Sequence, residues 1–91
     1  MSPRLWVRAR VAGARYLLRL HGVLDGSTAC QVLDAVAAAP GPAREVVVDL
    51  GGLAAAEPFG LEVLVRGLPA SARGRTVRIH GAPARGELWA G

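Results

Sequence analysis

Lysine is absent from this chain, cysteine occurs once, and only four of the 91 residues are aromatic. The lone Cys30 excludes an internal disulfide and fits a reducing, cytoplasmic setting. With so few rings, a core must be assembled from Val and Leu. No apolar run approaches the ~20 residues of a membrane span. Residues 1–6 lack the long apolar segment of a secretory signal. Histidine and cysteine show no metal-ligand spacing, so neither metal nor cofactor is expected.

What remains is small and arginine-rich. Ninety-one residues allow one domain, spanning 1–91, that buries about two thirds of its unfolded surface. All eleven cationic residues are arginine, beside abundant Ala and Gly, as the codon usage of a high-GC bacterial genome produces. The net charge of +4 permits an acidic partner. The arginines form no dense run, however, and a solvated surface is the default.

Periodicity orders the elements. Leu5, Val7, Ala9 and Val11 alternate with Trp6, Arg8 and Arg10 as a strand. Residues 12–14 offer a turn into a second strand carrying Tyr16, Leu18 and Leu20, which makes a hairpin. Residues 21–26 read as loop. Thr28 with Gln31 has capping-box spacing ahead of a helix lined by Ala29, Val32, Leu33, Val36 and Ala37. Pro40, Gly41 and Pro42 stop it. Glu45 to Leu50 forms a third strand, whose three valines predict burial on both faces. A glycine-containing loop over 51–60 leads to a helix opened by Pro58. Leu61, Leu64, Val65 and Leu68 line its buried face, Glu62 and Arg66 point outward, and Gly67 and Pro69 limit its length. A fourth strand over 75–80 faces Val77 and Ile79 inward, and 82–91 holds one short helix. The fold class is α/β, a mixed sheet of about four strands with two helices on one face.

That order, with Gly22-Val23-Leu24-Asp25, then Val48-Asp49-Leu50, then Glu57-Pro58-Phe59-Gly60-Leu61, resembles the STAS domain over roughly residues 5–80. This is the family of anti-sigma factor antagonists and of the cytoplasmic tails of sulfate transporters. The resemblance implies a non-catalytic regulatory or scaffold protein that docks a protein partner. That partner is an anti-sigma factor or switch kinase, or a scaffold or transporter assembly. The family's signature loop reads Asp-Ser-Ser/Ala-Gly. Here Glu57 stands at the Asp, Pro58 at the phosphorylated serine, Phe59 at the small residue and Gly60 at the Gly. Proline has no hydroxyl, so a phosphate switch, which would add nearly two charges at a helix start, has no acceptor at 58.

The expected docking residues are Asp25, Ser27, Thr28, Glu57, Pro58, Phe59, Gly60, Glu62 and Arg66. Phe59 is either an exposed anchor or tucked beneath its helix. Glu57 either recognises a cationic group or supports the helix start. Ser27 and Thr28 serve as caps before phosphate acceptors. Cys30, beside a buried stripe, reads as an inert half-buried thiol. The alternative function is a small-molecule or enzymatic pocket at the sheet's carboxyl edge, formed by His21, His80 and Glu57. Arg8, Arg10, Arg15, Arg19 and Trp6 share the outer face of the hairpin. With Trp6 alone interleaved, nucleic acid is not expected as a partner. Trp89 either folds back onto the core or enters a second subunit, as in a homodimer.

Overall fold

The computed structural model describes residues 4–81. In chain order the elements are β1 (Leu5–Ala12), β2 (Arg15–Leu24), α1 (Ala29–Ala37), β3 (Glu45–Asp49), β4 (Leu53–Ala56), α2 (Pro58–Ala72) and β5 (Thr76–His80). The expected α/β fold is present, with five strands among the described residues rather than about four. β1 and β2 form the antiparallel hairpin, and the sheet order is β1-β2-β3-β5. β3 pairs in parallel with both β2 and β5, which makes it the interior strand that its valines predict.

The fifth strand lies inside the segment read as loop. β2 does not end at Leu20. It runs to Leu24 and pairs with β3 along residues 15–19, then with β4 along residues 22–24. The register shifts between Gly22 and Val23. A Cβ at Gly22 would lie 2.1 Å from the Arg4 carbonyl oxygen, and φ there is 94°, so only glycine fits.

Alternation sorts the side chains. Leu18, Leu20, Val46 and Val48 are buried beneath α1 and α2, together with Val32, Val36, Leu61, Leu64 and Leu68. Among the described residues, the two helices pack on each other and on this face alone. Val47 is therefore only half-buried on the opposite, uncovered face, contrary to the expectation of burial on both sides. Val77 is half-buried, but Ile79 at the edge strand is 38% exposed. Val65 is also exposed rather than buried, because the apolar stripe of α2 passes through Leu61, Leu64 and Leu68.

Neither Gly67 nor Pro69 ends α2. Gly67 faces Leu33 of α1, where a small residue lets the helices close. Pro69 is exposed, so the missing hydrogen bond falls on the solvent side of the helix rather than in the core. The helix stops where Arg73 and Gly74 take φ of 53° and 86°. Arg75 then ties β5 to the α1–β3 connection, its Nε donating to the Ala43 carbonyl at 2.9 Å and Nη2 to that of Pro40 at 2.9 Å. Trp89 and the short last helix lie outside the described residues.

Candidate docking site at the helix starts

The carboxyl ends of β2 and β4 deliver the chain to the starts of α1 and α2. Asp25 organises the first turn. Its Oδ1 accepts from the Ser27 backbone N–H at 2.9 Å, the Ser27 hydroxyl at 2.7 Å and the Thr28 N–H at 3.0 Å. Its Oδ2 pairs with the Arg4 guanidinium at 2.7 Å. The Ser27 hydroxyl, above all, holds the Asp25 carboxyl below its ordinary pKa, and the Thr28 and Ser27 amides and Arg4 act in the same sense against desolvation.

Thr28 does not form the expected capping box. Its hydroxyl accepts from the Asp25 N–H at 2.8 Å and donates to the Val23 carbonyl at 3.0 Å, which closes the turn onto β2 instead. Asp25 therefore performs the capping assigned to Thr28. Arg4, to which no sequence pattern points, supplies the counter-charge from the strand β1 side.

The second start is pressed against the first. Glu57 N–H donates to the Leu24 carbonyl at 2.8 Å, and Pro58 occupies the first helical position as expected. A Cβ at Gly60 would fall 2.5 Å from Asp25 Cα and 2.7 Å from its carbonyl carbon. Glycine at 60 is thus required for α2 to abut the Asp25 turn. No side chain caps α2, and Glu57 supports it by charge alone.

The alternatives for Phe59 resolve toward exposure. The residue is 64% exposed, and one edge of its ring lies over Gly26, where a Cβ would meet Cδ2 at 2.6 Å. Ala54, Ala55 and Ala56, which precede it, belong to β4. Of the predicted site residues, Ser27, Glu57, Pro58, Phe59, Glu62 and Arg66 are exposed on one rim. Glu62 and Arg66 pair with each other at 2.8 Å. Asp25, Thr28 and Gly60 are buried and shape that rim from below.

His21, His80 and Glu57 do not form a shared site. His21 stacks on Trp6, with ring centroids 5.5 Å apart, and its Nε2 is buried without a hydrogen-bond partner among the described residues. His80 lies on β5 beside Asp49, and an open cavity of about 600 Å³ there includes neither His21 nor Glu57. No group of three His, Cys, Asp or Glu residues is placed to hold a metal among the described residues. Cys30 is exposed on α1, not half-buried. No described helix is long and apolar enough to cross a membrane.

Comparison with known proteins gives a consistent result. The family model described as "Mlab, STAS domain" matches residues 7–87. A crystal structure of Mglu is 28% identical with a TM-score of 0.68, and the match covers 87% of this chain. The chain corresponds to only 20% of that protein's length. An anti-sigma factor antagonist from Mycobacterium paratuberculosis superposes with a TM-score of 0.68 at 15% identity, over 86% of this chain and 68% of that one. SpoIIAA, an anti-sigma factor antagonist in its unphosphorylated form, gives 0.60 at 20% identity, over 92% and 77%. At these last two identities the likeness is one of fold. No curated protein sequence matches the chain.

Proposed function

Since the chain belongs to the STAS domain family, we propose that it is a non-catalytic docking module whose partner is a protein. The partner is an anti-sigma factor or switch kinase, or a scaffold assembly that uses an unphosphorylated STAS module. The anti-sigma factor antagonists that share its fold support the first of these. One observation carries the reading: an aromatic residue, 64% exposed, is held on a rim whose backbone is fixed from both sides. Phe59 rests on Gly26, while Gly60 locks its helix to the Asp25 turn. A preorganised aromatic loses little entropy on binding and serves as an anchor. Ser27, Glu57 and the Glu62/Arg66 pair supply the polar rim around it, and Pro58 stiffens the helix start.

Pro58 gives this surface a fixed state. A phosphate at this position would place nearly two charges at the start of α2, and proline offers no hydroxyl to carry it. Incubation with a cognate switch kinase and ATP is expected to leave Pro58 unmodified. The docking surface is tested by binding to that partner, with Phe59→Ala and Glu62→Ala as variants and Arg73→Ala, at the far end of α2, as control. Phe59→Ala is expected to weaken binding by at least roughly tenfold, about 1.4 kcal/mol, and Glu62→Ala by less. Unchanged affinity in both variants would remove this rim from the interface.

A further inference from the structure

The face of the sheet opposite the helices carries a second surface. Strand register aligns its side chains in cross-strand rows: Trp6 beside His21; Arg8, Arg19, Asp49 and His80; Arg10, Leu17, Val47 and Arg78; and Arg15 with Glu45. Five arginines and two carboxylates project here, a surplus of three of the protein's four net positive charges. Glu45 is taken up by Arg15 at 3.1 Å and Arg78 at 3.6 Å. Asp49 turns to the Gly51 N–H at 2.8 Å rather than to Arg19. Arg8, Arg10 and Arg19 therefore have no carboxylate within 4.0 Å among the described residues, and they surround the open cavity of about 600 Å³ floored by Leu17 and Val47.

Beside these cations stands a flat ring. Trp6 is 48% exposed, and its indole is stacked within 10° of parallel on His21, which leaves its other side open. From sequence alone Trp6 is an isolated aromatic. The register adds a second ring behind it, an apolar floor and three guanidinium groups with no carboxylate partner among the described residues. Unpaired cations beside a rigid stacking ring on an open sheet are what a single-stranded nucleic acid requires, since its phosphates take the charges and its unstacked bases take the ring. An acidic peptide would use the charges but leave Trp6 idle.

We propose that the open face of the sheet binds single-stranded nucleic acid, with Trp6 stacking a base and Arg8, Arg10 and Arg19 holding phosphates. The test uses fluorescently labelled oligo-dT and oligo-U of roughly twelve nucleotides, within the usual range of single-strand sites, read by anisotropy on the whole chain. Three phosphate contacts predict a log–log salt slope of about −2, a loss of roughly twentyfold between 50 and 200 mM salt. Each Arg→Ala change at 8, 10 or 19 is expected to reduce that slope by about 0.7. Trp6→Ala is expected to weaken binding about tenfold without altering the slope. These positions are on the surface, and circular dichroism confirms that each variant is folded. Phe59→Ala is expected to bind oligonucleotide normally, which separates this surface from the docking rim. The proposal is overturned by an absence of binding at 50 mM salt or by affinity insensitive to Trp6→Ala. Equal binding of duplex, polyglutamate or anionic vesicles would overturn it as well.

Discussion

Gly60→Ala isolates the contact on which the docking rim depends. In a helix, replacing glycine by alanine is favourable by about 1 kcal/mol. At this position the new methyl would stand 2.5 Å from Asp25 Cα, 2.7 Å from its carbonyl carbon and 2.8 Å from its nitrogen. Backbone cannot rotate away as a side chain can. That backbone is also held by the Thr28 hydroxyl at 2.8 Å and by the turn around the Asp25 carboxylate. Overpacking of this kind costs about 1–3 kcal/mol, and the fixed turn places it at the upper end. The net expectation is a loss of about 1–2 kcal/mol, or roughly 5–15 °C in Tm for a domain of this size. Gly67→Ala in the same helix is the comparator. Its methyl would meet Leu33 Cδ1 at 2.5 Å, but that is the end of a side chain that can change rotamer. Its net effect is expected to stay within about 1 kcal/mol of zero. Urea and thermal unfolding of the two variants decide the matter. If Gly60→Ala is as stable as the parent, or no worse than Gly67→Ala, α2 does not abut the Asp25 turn and the rim is not fixed as described.

Two further outcomes follow from the packing and the charges. Leu64 is wholly buried between α2 and the sheet, so Leu64→Ala is expected to cost about 2–5 kcal/mol, while Val65→Ala, 55% exposed, changes little by the same urea titration. Asp25 has a pKa below the unfolded value of about 3.9, so its contribution is fully present above that value and is lost as pH falls through the folded one. The stability gap between the parent and Asp25→Asn should therefore narrow steadily as pH is lowered from 5 toward 2. A gap that does not change over that range would contradict the assignment.

Sequence patterning reveals those elements whose residues have strong local preferences. The valines of β3, the apolar spacing of α1 and Pro58 at the head of α2 each announce their element. β4 does not, because Leu53 followed by three alanines has neither β-propensity nor alternation, and only its pairing with the end of β2 makes it a strand. The same dependence on distant partners hid the site's frame. Thr28 has the right spacing for a cap, but Asp25 captures the turn because Arg4 and Val23 are adjacent in space. Phe59, Glu57 and Pro58 were legible as a loop of interest. The close approach of Gly60 to Asp25 was not, since no spacing within one chain segment reports the distance between two helix starts. Val47 likewise reads as interior from its neighbours, yet one face of the sheet has no helix among the described residues.

The face that no described helix covers gives the molecule a second surface of different physical kind. The rim at the helix starts offers an apolar anchor with a nearly balanced set of charges around it. Partner affinity there depends on shape and on how rigidly Phe59 is presented. The open face holds most of the net charge, and its interactions weaken with salt within a Debye length of about 10 Å at 0.1 M. A ligand on one surface therefore need not exclude a ligand on the other, and β2 is the strand they share. Its Arg15, Leu17, Arg19 and His21 carry open-face side chains, and its end carries the Asp25 turn. Coupling between the surfaces would have to pass through the shift at Gly22, where the Arg4 carbonyl oxygen leaves no room for a side chain. On the proposed reading, with no hydroxyl at position 58, occupancy of the rim is set by partner concentration and by whatever binds the opposite side. A nucleic-acid ligand that altered partner affinity would have to be altered by the partner to the same degree. Equal affinities with and without oligonucleotide would show instead that the sheet insulates its two faces.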